Sequence, residues 1–170
     1  MIRTILHYPD PRLREPGKKV TEVTDELRKL IDDMAETMYA APGVGLAATQ
    51  IGEPWQIFVI DIAAEDEPSN LQVFVNPEIL ARDGEITWQE GCLSFPGVQE
   101  DIDRAAKVRV RAQDRDGKTF ELEADGLLAV AIQHELDHLE GVLMIDHMGP
   151  LKKRLVHRKM QRREDAHATR

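Results

Sequence analysis

The feature that most constrains this fold is one helix-length stretch that cannot lie on a surface. Between Asp125 and Gly141 the residues Leu127, Leu128, Val130, Ala131 and Ile132 leave almost no polar face. A helix of about 3.6 residues per turn with that pattern is surrounded by the rest of the chain. Asp125 suits its N-cap and Gly141 its end. The second half then reads Gln133-His134-Glu135-Leu136-Asp137-His138. His134 and His138 project one turn apart from one face, close enough to share a metal ion. Two imidazoles and a carboxylate left unpartnered in an interior are costly, and a metal satisfies them together. Glu135 is too offset to be an easy third ligand but can reach a water at that metal, which is the arrangement for metal-assisted hydrolysis. The bland alternative is an amphipathic helix that happens to carry two histidines.

What wraps this helix is mostly strand. Thr24 caps an earlier helix whose Leu27, Leu30, Ile31, Met34 and Met38 form one stripe. The runs Trp55 to Asp61 and Leu71 to Asn76 read as buried strands, with an acidic loop from Ala64 to Asn70 between them. Asp83-Gly84 marks a hairpin turn into Glu85 to Glu90, after which Gly91 to Gly97 leaves regular structure. Lys107 to Ala112 and Thr119 to Glu123 alternate with period two about Asp116-Gly117, a hairpin with one wet face. The prolines of Tyr8-Pro9-Asp10-Pro11 make the opening extended, and His7 there reads as structural. The expected class is α+β, with mixed antiparallel sheets packed around the central helix and a further helix at the C-terminus.

A chain of 170 residues fits one domain with a real core. Residues 1–149 are expected to form the catalytic body and residues 150–170 a basic helix with a frayed end, within that same domain. No apolar run approaches the ~20 residues of a membrane span, and the start is too short for a signal peptide, so the expected location is cytoplasmic. A net charge of −9 disfavours a general DNA binder. The only cysteine, Cys92, rules out an internal disulfide. It leaves two candidates for a third metal ligand: this thiolate at a strand end, or a downstream carboxylate.

Three separated stretches make the choice sharper: Gly43-Val44-Gly45-Leu46-Ala47-Ala48-Thr49-Gln50, Glu90-Gly91-Cys92-Leu93-Ser94 and the helical motif itself. Together they resemble the peptide deformylase family, over nearly the whole chain to about Pro150. The chain departs from relatives around Gln99 to Ala105, at the outer peptide-binding surface. The resemblance implies that Cys92, His134 and His138 hold one divalent metal, Fe(2+) first, with Zn(2+), Ni(2+) or Co(2+) as substitutes. It also implies that Glu135 is the base and that the Gln50 amide and the Leu93 N–H stabilise the oxyanion. The implied substrate is an N-formylmethionyl nascent peptide. It lies as an added strand against Gly43 to Gly45 and the backbone at Glu90 and Gly91, where glycine leaves room. Its methionine enters a pocket of Val44, Trp88, Leu127, Val130 and Ala131. A zinc endopeptidase fits the histidine motif but not the Cys92 and Gln50 stretches. A structural zinc site needs a fourth ligand that the chain does not supply.

After Pro150, a good first helical residue, Lys152, Lys153, Arg154, Arg158, Lys159, Arg162 and Arg163 crowd around a thin stripe of Leu151, Leu155, Val156 and Met160. A surface of that kind favours phosphate-rich RNA, and ribosome contact is the partner it suggests. The bland reading is a solvated helix that offsets an acidic body.

Overall fold

The computed structural model describes residues 1–168. Its helices are α1 (Asp25–Ala40), α2 (Gly126–Leu139) and α3 (Pro150–Ala168). Its strands are β1 (Gly45–Ala47), β2 (Ile57–Ile60), β3 (Gln72–Asp83), β4 (Ile86–Gly91), β5 (Gln99–Arg104), β6 (Lys107–Gln113) and β7 (Thr119–Asp125). Antiparallel sheets with three helices make the α+β class that the sequence predicts. The basic helix runs through Ala168, so of the expected frayed end only Thr169 and Arg170 are left, and they lie outside the described residues.

Five strands form one antiparallel sheet in the order β1-β2-β3-β6-β7. The four apolar residues of β2 explain how both of its faces are used. Phe58 and Ile60 turn toward α2, where they join Phe74, Val110 and Ile132, while Ile57 and Val59 turn toward Ile31, Met34 and Met38 of α1. A strand buried on both faces cannot alternate polar and apolar residues, which is why this run reads as continuously hydrophobic. Each such side chain contributes roughly 1.5–3 kcal/mol on burial. At the other end of the sheet, β6 and β7 do alternate, with Val108, Val110 and Ala112 inward and Lys107, Arg109 and Arg111 in solvent. A third apolar cluster joins Leu6, Leu13, Phe95, Val98, Ile102 and Met144 to Val156 and Met160 of α3.

Three expectations need correction. Asp83-Gly84 does not close a hairpin: β3 pairs with β6, and β4 pairs with β5 in a separate two-stranded sheet. The edge of β3 is taken by β6, itself paired with β7, so Gly84, at φ +68, turns the chain out of the sheet instead of back along it. Asp125 occupies the cap position of α2, yet its side chain makes no cap bond. The turn from β7 into the helix is made by Gly126 at φ +54, a left-handed conformation that glycine adopts without penalty. The stripe on α3 is also thinner than expected, since Val156 and Met160 are buried while Leu151 and Leu155 are exposed.

Candidate active site

The motif residues of α2 meet two other segments at its middle. β4 ends at Gly91, and the turn that follows carries Cys92 against the helix, with Sγ 3.3 Å from His138 Nε2. His134 and His138 stand with ring centroids 5.1 Å apart. One donor atom each from Cys92, His134 and His138 fall within 4.8 Å of one another. Sulfur and nitrogen ligands on a tetrahedral metal lie roughly 3.4–3.6 Å apart, so small movements complete the site. The His134 ring is oriented by Glu90, whose Oε1 is 2.8 Å from Nδ1. A carboxylate there keeps the proton on Nδ1 and leaves Nε2 with a free lone pair facing the other donors. The donor set therefore fits a metal such as iron or zinc, with one soft thiolate and two imidazoles. Among the described residues, no carboxylate joins this group of three donor atoms.

Glu135 lies beside this triad. A Cβ built on Gly45 would sit 2.6 Å from Glu135 Oε2, so the space that glycine leaves at position 45 is filled by the carboxylate. At Gly43 the space is filled by the Leu93 side chain, 2.7 Å from a built Cβ. Glu135 and Leu93 thus occupy the space that a Cβ at these two glycines would need. Glu135 Oε1 is buried and has no hydrogen-bond partner among the described residues. Burial, with Glu90 and Asp137 adding to it against His134 and Arg104, pushes Glu135 up to about 7 in the metal-free protein. Burial also pulls His138 well below its ordinary value, and His134 and Arg104 add to this. Burial acts in the same sense on His134, but Cys92 and Glu90 outweigh it and raise that ring.

Gln50 is fixed at both ends of its amide. Oε1 accepts the Ala47 N–H at 2.9 Å, which turns Nε2 toward Ser94 Oγ at 3.1 Å and Cys92 Sγ at 3.8 Å. Thr49 Oγ1 donates to the His138 carbonyl at 3.2 Å and ties the same segment to α2.

A cavity of about 770 Å³ opens over these groups. Its lining contains nearly every predicted site residue: Gly43, Val44, Gly45, Gln50, Trp88, Glu90, Gly91, Cys92, Leu93, Leu127, Val130, Ala131, His134 and Glu135. His138 lies behind them, 1% exposed. Sequence reasoning missed His7 and the segment Phe95 to Val98, which line the same cavity, while Gln99, expected at the outer peptide-binding surface, lines it too. It also missed Arg104, buried on Glu90 through two bonds of 2.9 Å. A signal for Arg104 was present: period two from Ile102 puts it on the inward face of β5, where a guanidinium needs a carboxylate.

The family model for polypeptide deformylase matches residues 2–154. A peptide deformylase of Alkalilimnicola ehrlichii is 52% identical over 161 residues, covering 95% of this chain and 90% of its own. One of Azotobacter vinelandii is 52% identical over 168 residues, 98% of each chain. Among solved structures, a peptide deformylase from Legionella pneumophila superimposes with a TM-score of 0.92 at 46% identity, covering 100% of this chain and 99% of its own. The Ehrlichia chaffeensis enzyme in complex with actinonin gives 0.91 at 34% identity, covering 96% and 98%. With a cysteine and two histidines converging beside a buried glutamate, and matches of this extent, the chain belongs to the polypeptide deformylase family, metal-dependent hydrolases that remove the formyl group from the N-terminal methionine of newly made proteins.

Proposed function

We propose that Cys92, His134 and His138 hold one ferrous ion, replaceable by zinc, nickel or cobalt, and that Glu135 is the general base. The observation that carries this reading is the convergence of three donor atoms next to a carboxylate with an unpartnered oxygen. When bound, such an ion acidifies water and polarises the formyl carbonyl. Glu135 takes a proton from the attacking water and later delivers it to the departing amine nitrogen, so the water's OH ends in formate and its proton on the new N-terminus. The Gln50 amide, locked by Ala47 and Ser94, and the Leu93 N–H stabilise the charge that develops on the formyl oxygen.

The peptide adds as a strand to β1. This strand is at the edge of the five-stranded sheet, so one side of it can accept main-chain hydrogen bonds. The methionine side chain enters among Val44, Trp88, Leu127, Val130 and Ala131, which line the cavity. Residues 1–149 and 150–170 act as one domain, supported by the burial of Val156 and Met160 against the body. The exposed basic face of α3 docks on the ribosome, and the enzyme works in the cytoplasm on nascent chains, with neither DNA nor membrane as a partner. No helix among the described residues is long and apolar enough to cross a membrane.

The test is formate release from formyl-Met-Ala-Ser with metal content measured alongside. Glu135→Gln is expected to keep the metal and lose about 10²- to 10⁴-fold in rate, because only the base is removed. Cys92→Ser is expected to lose the metal itself, a neutral hydroxyl replacing an anionic thiolate. A Glu135→Gln protein that loses metal in step with activity makes Glu135 a ligand and overturns the assignment.

A further inference from the structure

Asp137 belongs to the same motif as His134, Glu135 and His138, yet the chemistry above makes no use of it. It leaves α2 on the side away from the cavity. Its Oδ2 accepts from Arg104 Nη1 at 2.6 Å and lies 2.9 Å from His147 Nε2. Arg104 is 7% exposed, and its Nε and Nη2 donate in parallel to Glu90 Oε2 and Oε1 at 2.9 Å each. Glu90 Oε1 is in turn 2.8 Å from His134 Nδ1. The contacts therefore close a circuit, leaving α2 at Asp137 and returning to it three residues earlier at His134. One turn back along the same face, Gln133 grips both backbone groups of Ala105: its Oε1 accepts the N–H at 3.0 Å and its Nε2 donates to the carbonyl at 2.9 Å. The corner that carries Arg104 is thus pinned to the helix at two adjacent points.

We propose that Asp137 is a positioning residue for the metal site, acting through Arg104 and Glu90 to fix the His134 ring with Nδ1 protonated and Nε2 turned toward Cys92 and His138. This rests on the ligand assignment proposed above. The physical reason is charge sharing. A guanidinium held between two carboxylates leaves Glu90 Oε1 negative enough to keep its bond from His134, and its plane is fixed at three nitrogens. With asparagine at 137 the full cation falls on Glu90, and the guanidinium loses its third anchor. The Nδ1–H bond weakens, and with it the basicity and aim of the opposite nitrogen. Partners of this kind behind a metal ligand are worth about 10- to 100-fold in metal affinity.

The test titrates zinc into metal-stripped full-length protein against a chromophoric chelator. Asp137→Asn is expected to raise the Kd for zinc about tenfold. In a Glu90→Gln background, where the path is already cut, the same substitution is expected to change it less than about threefold. Native affinity in Asp137→Asn, or an equal loss in both backgrounds, overturns the proposal. A second measurement needs no variant to fold. In zinc-loaded wild-type protein, ring ¹⁵N–¹H spectra are expected to show His134 as the Nδ1–H tautomer with a low-field proton, and absence of that proton also overturns the circuit. His134→Ala separates the two ideas: tight zinc binding by that variant sinks the ligand assignment and the proposal with it, whereas lost binding there beside native affinity in Asp137→Asn sinks the role of Asp137 alone.

Discussion

A Cβ on Gly45 would approach Glu135 Oε2 to 2.6 Å, and the atom that must give way is the end of a flexible side chain. Gly45→Ala is therefore expected to cost little stability, since the carboxylate can swing aside. The same swing displaces the proposed base, and misplacement by about 1 Å is worth about 10²-fold in rate. The expected signature is a kcat reduced about a hundredfold with metal content and melting temperature near those of the parent. Unchanged turnover on formyl-Met-Ala-Ser would remove Glu135 from the base role or show that it reaches the water from another rotamer. Gly43→Ala meets Leu93 instead, an apolar neighbour, so its cost is expected to appear mainly in KM.

Among the elements, α1 shows how the chain's first residues are fastened. The Asp33 carboxylate, 4% exposed, receives the Met1 ammonium at 2.8 Å and Arg3 at 3.0 Å, while Thr37 Oγ1 accepts the Arg3 N–H at 2.8 Å. The Met1 ammonium, with Arg3 and Lys29, outweighs burial and holds Asp33 at about 2, below its ordinary 3.8. A carboxyl depressed in the folded state stabilises it above the unfolded value and loses that contribution as pH falls through the folded one. Asp33→Asn is thus expected to lower the melting temperature near neutrality, with the gap to wild type closing between about pH 4 and pH 2. A gap independent of pH would assign the effect to packing alone. The elements themselves were unequally legible. α1 and α2 announced themselves through a stripe and through an unbroken apolar run, and the β6–β7 hairpin through strict alternation. The pairing of β4 with β5 was hidden because strand partners are chosen by competition across the whole sheet, and Gly84 looks the same whether the chain doubles back or leaves. At the site, His134, His138 and Glu135 could be read from spacing, while Cys92 was chosen over a downstream carboxylate by the family resemblance. For Arg104 the inward position was legible from period two but the carboxylates it binds were not, and the contact of Ser94 with Gln50 likewise arises only on folding.

At the scale of the whole molecule the charges are sorted. The net charge is −9, while α3 turns Arg154, Arg158 and Arg162 to solvent along one face. Cutting the chain at Pro150 is a poor test of ribosome docking, because α3 also covers Phe95 through Val156 and Met160 and holds the Gly97 carbonyl through Lys159 at 2.9 Å. Replacing Arg154, Arg158 and Arg162 together by glutamine leaves those contacts alone. The triple variant is expected to lose co-sedimentation with ribosomes, to depend less on salt, and to keep wild-type turnover on a short peptide. Equal pelleting of both proteins would end the docking idea. Cys92 and His138 are 46 residues apart in sequence and come from different layers, one following the two-stranded sheet and the other within the central helix. An ion held by both ties a long loop shut, and a two-stranded sheet by itself is only marginally stable. Stripping the metal is therefore expected to speed amide exchange along β4 and β5 far more than along β2 and β3. A cell short of the metal would then meet the deficit twice, as lost turnover and as a loosened flap of chain open to proteases, so that the idle enzyme is also the one most readily cleared.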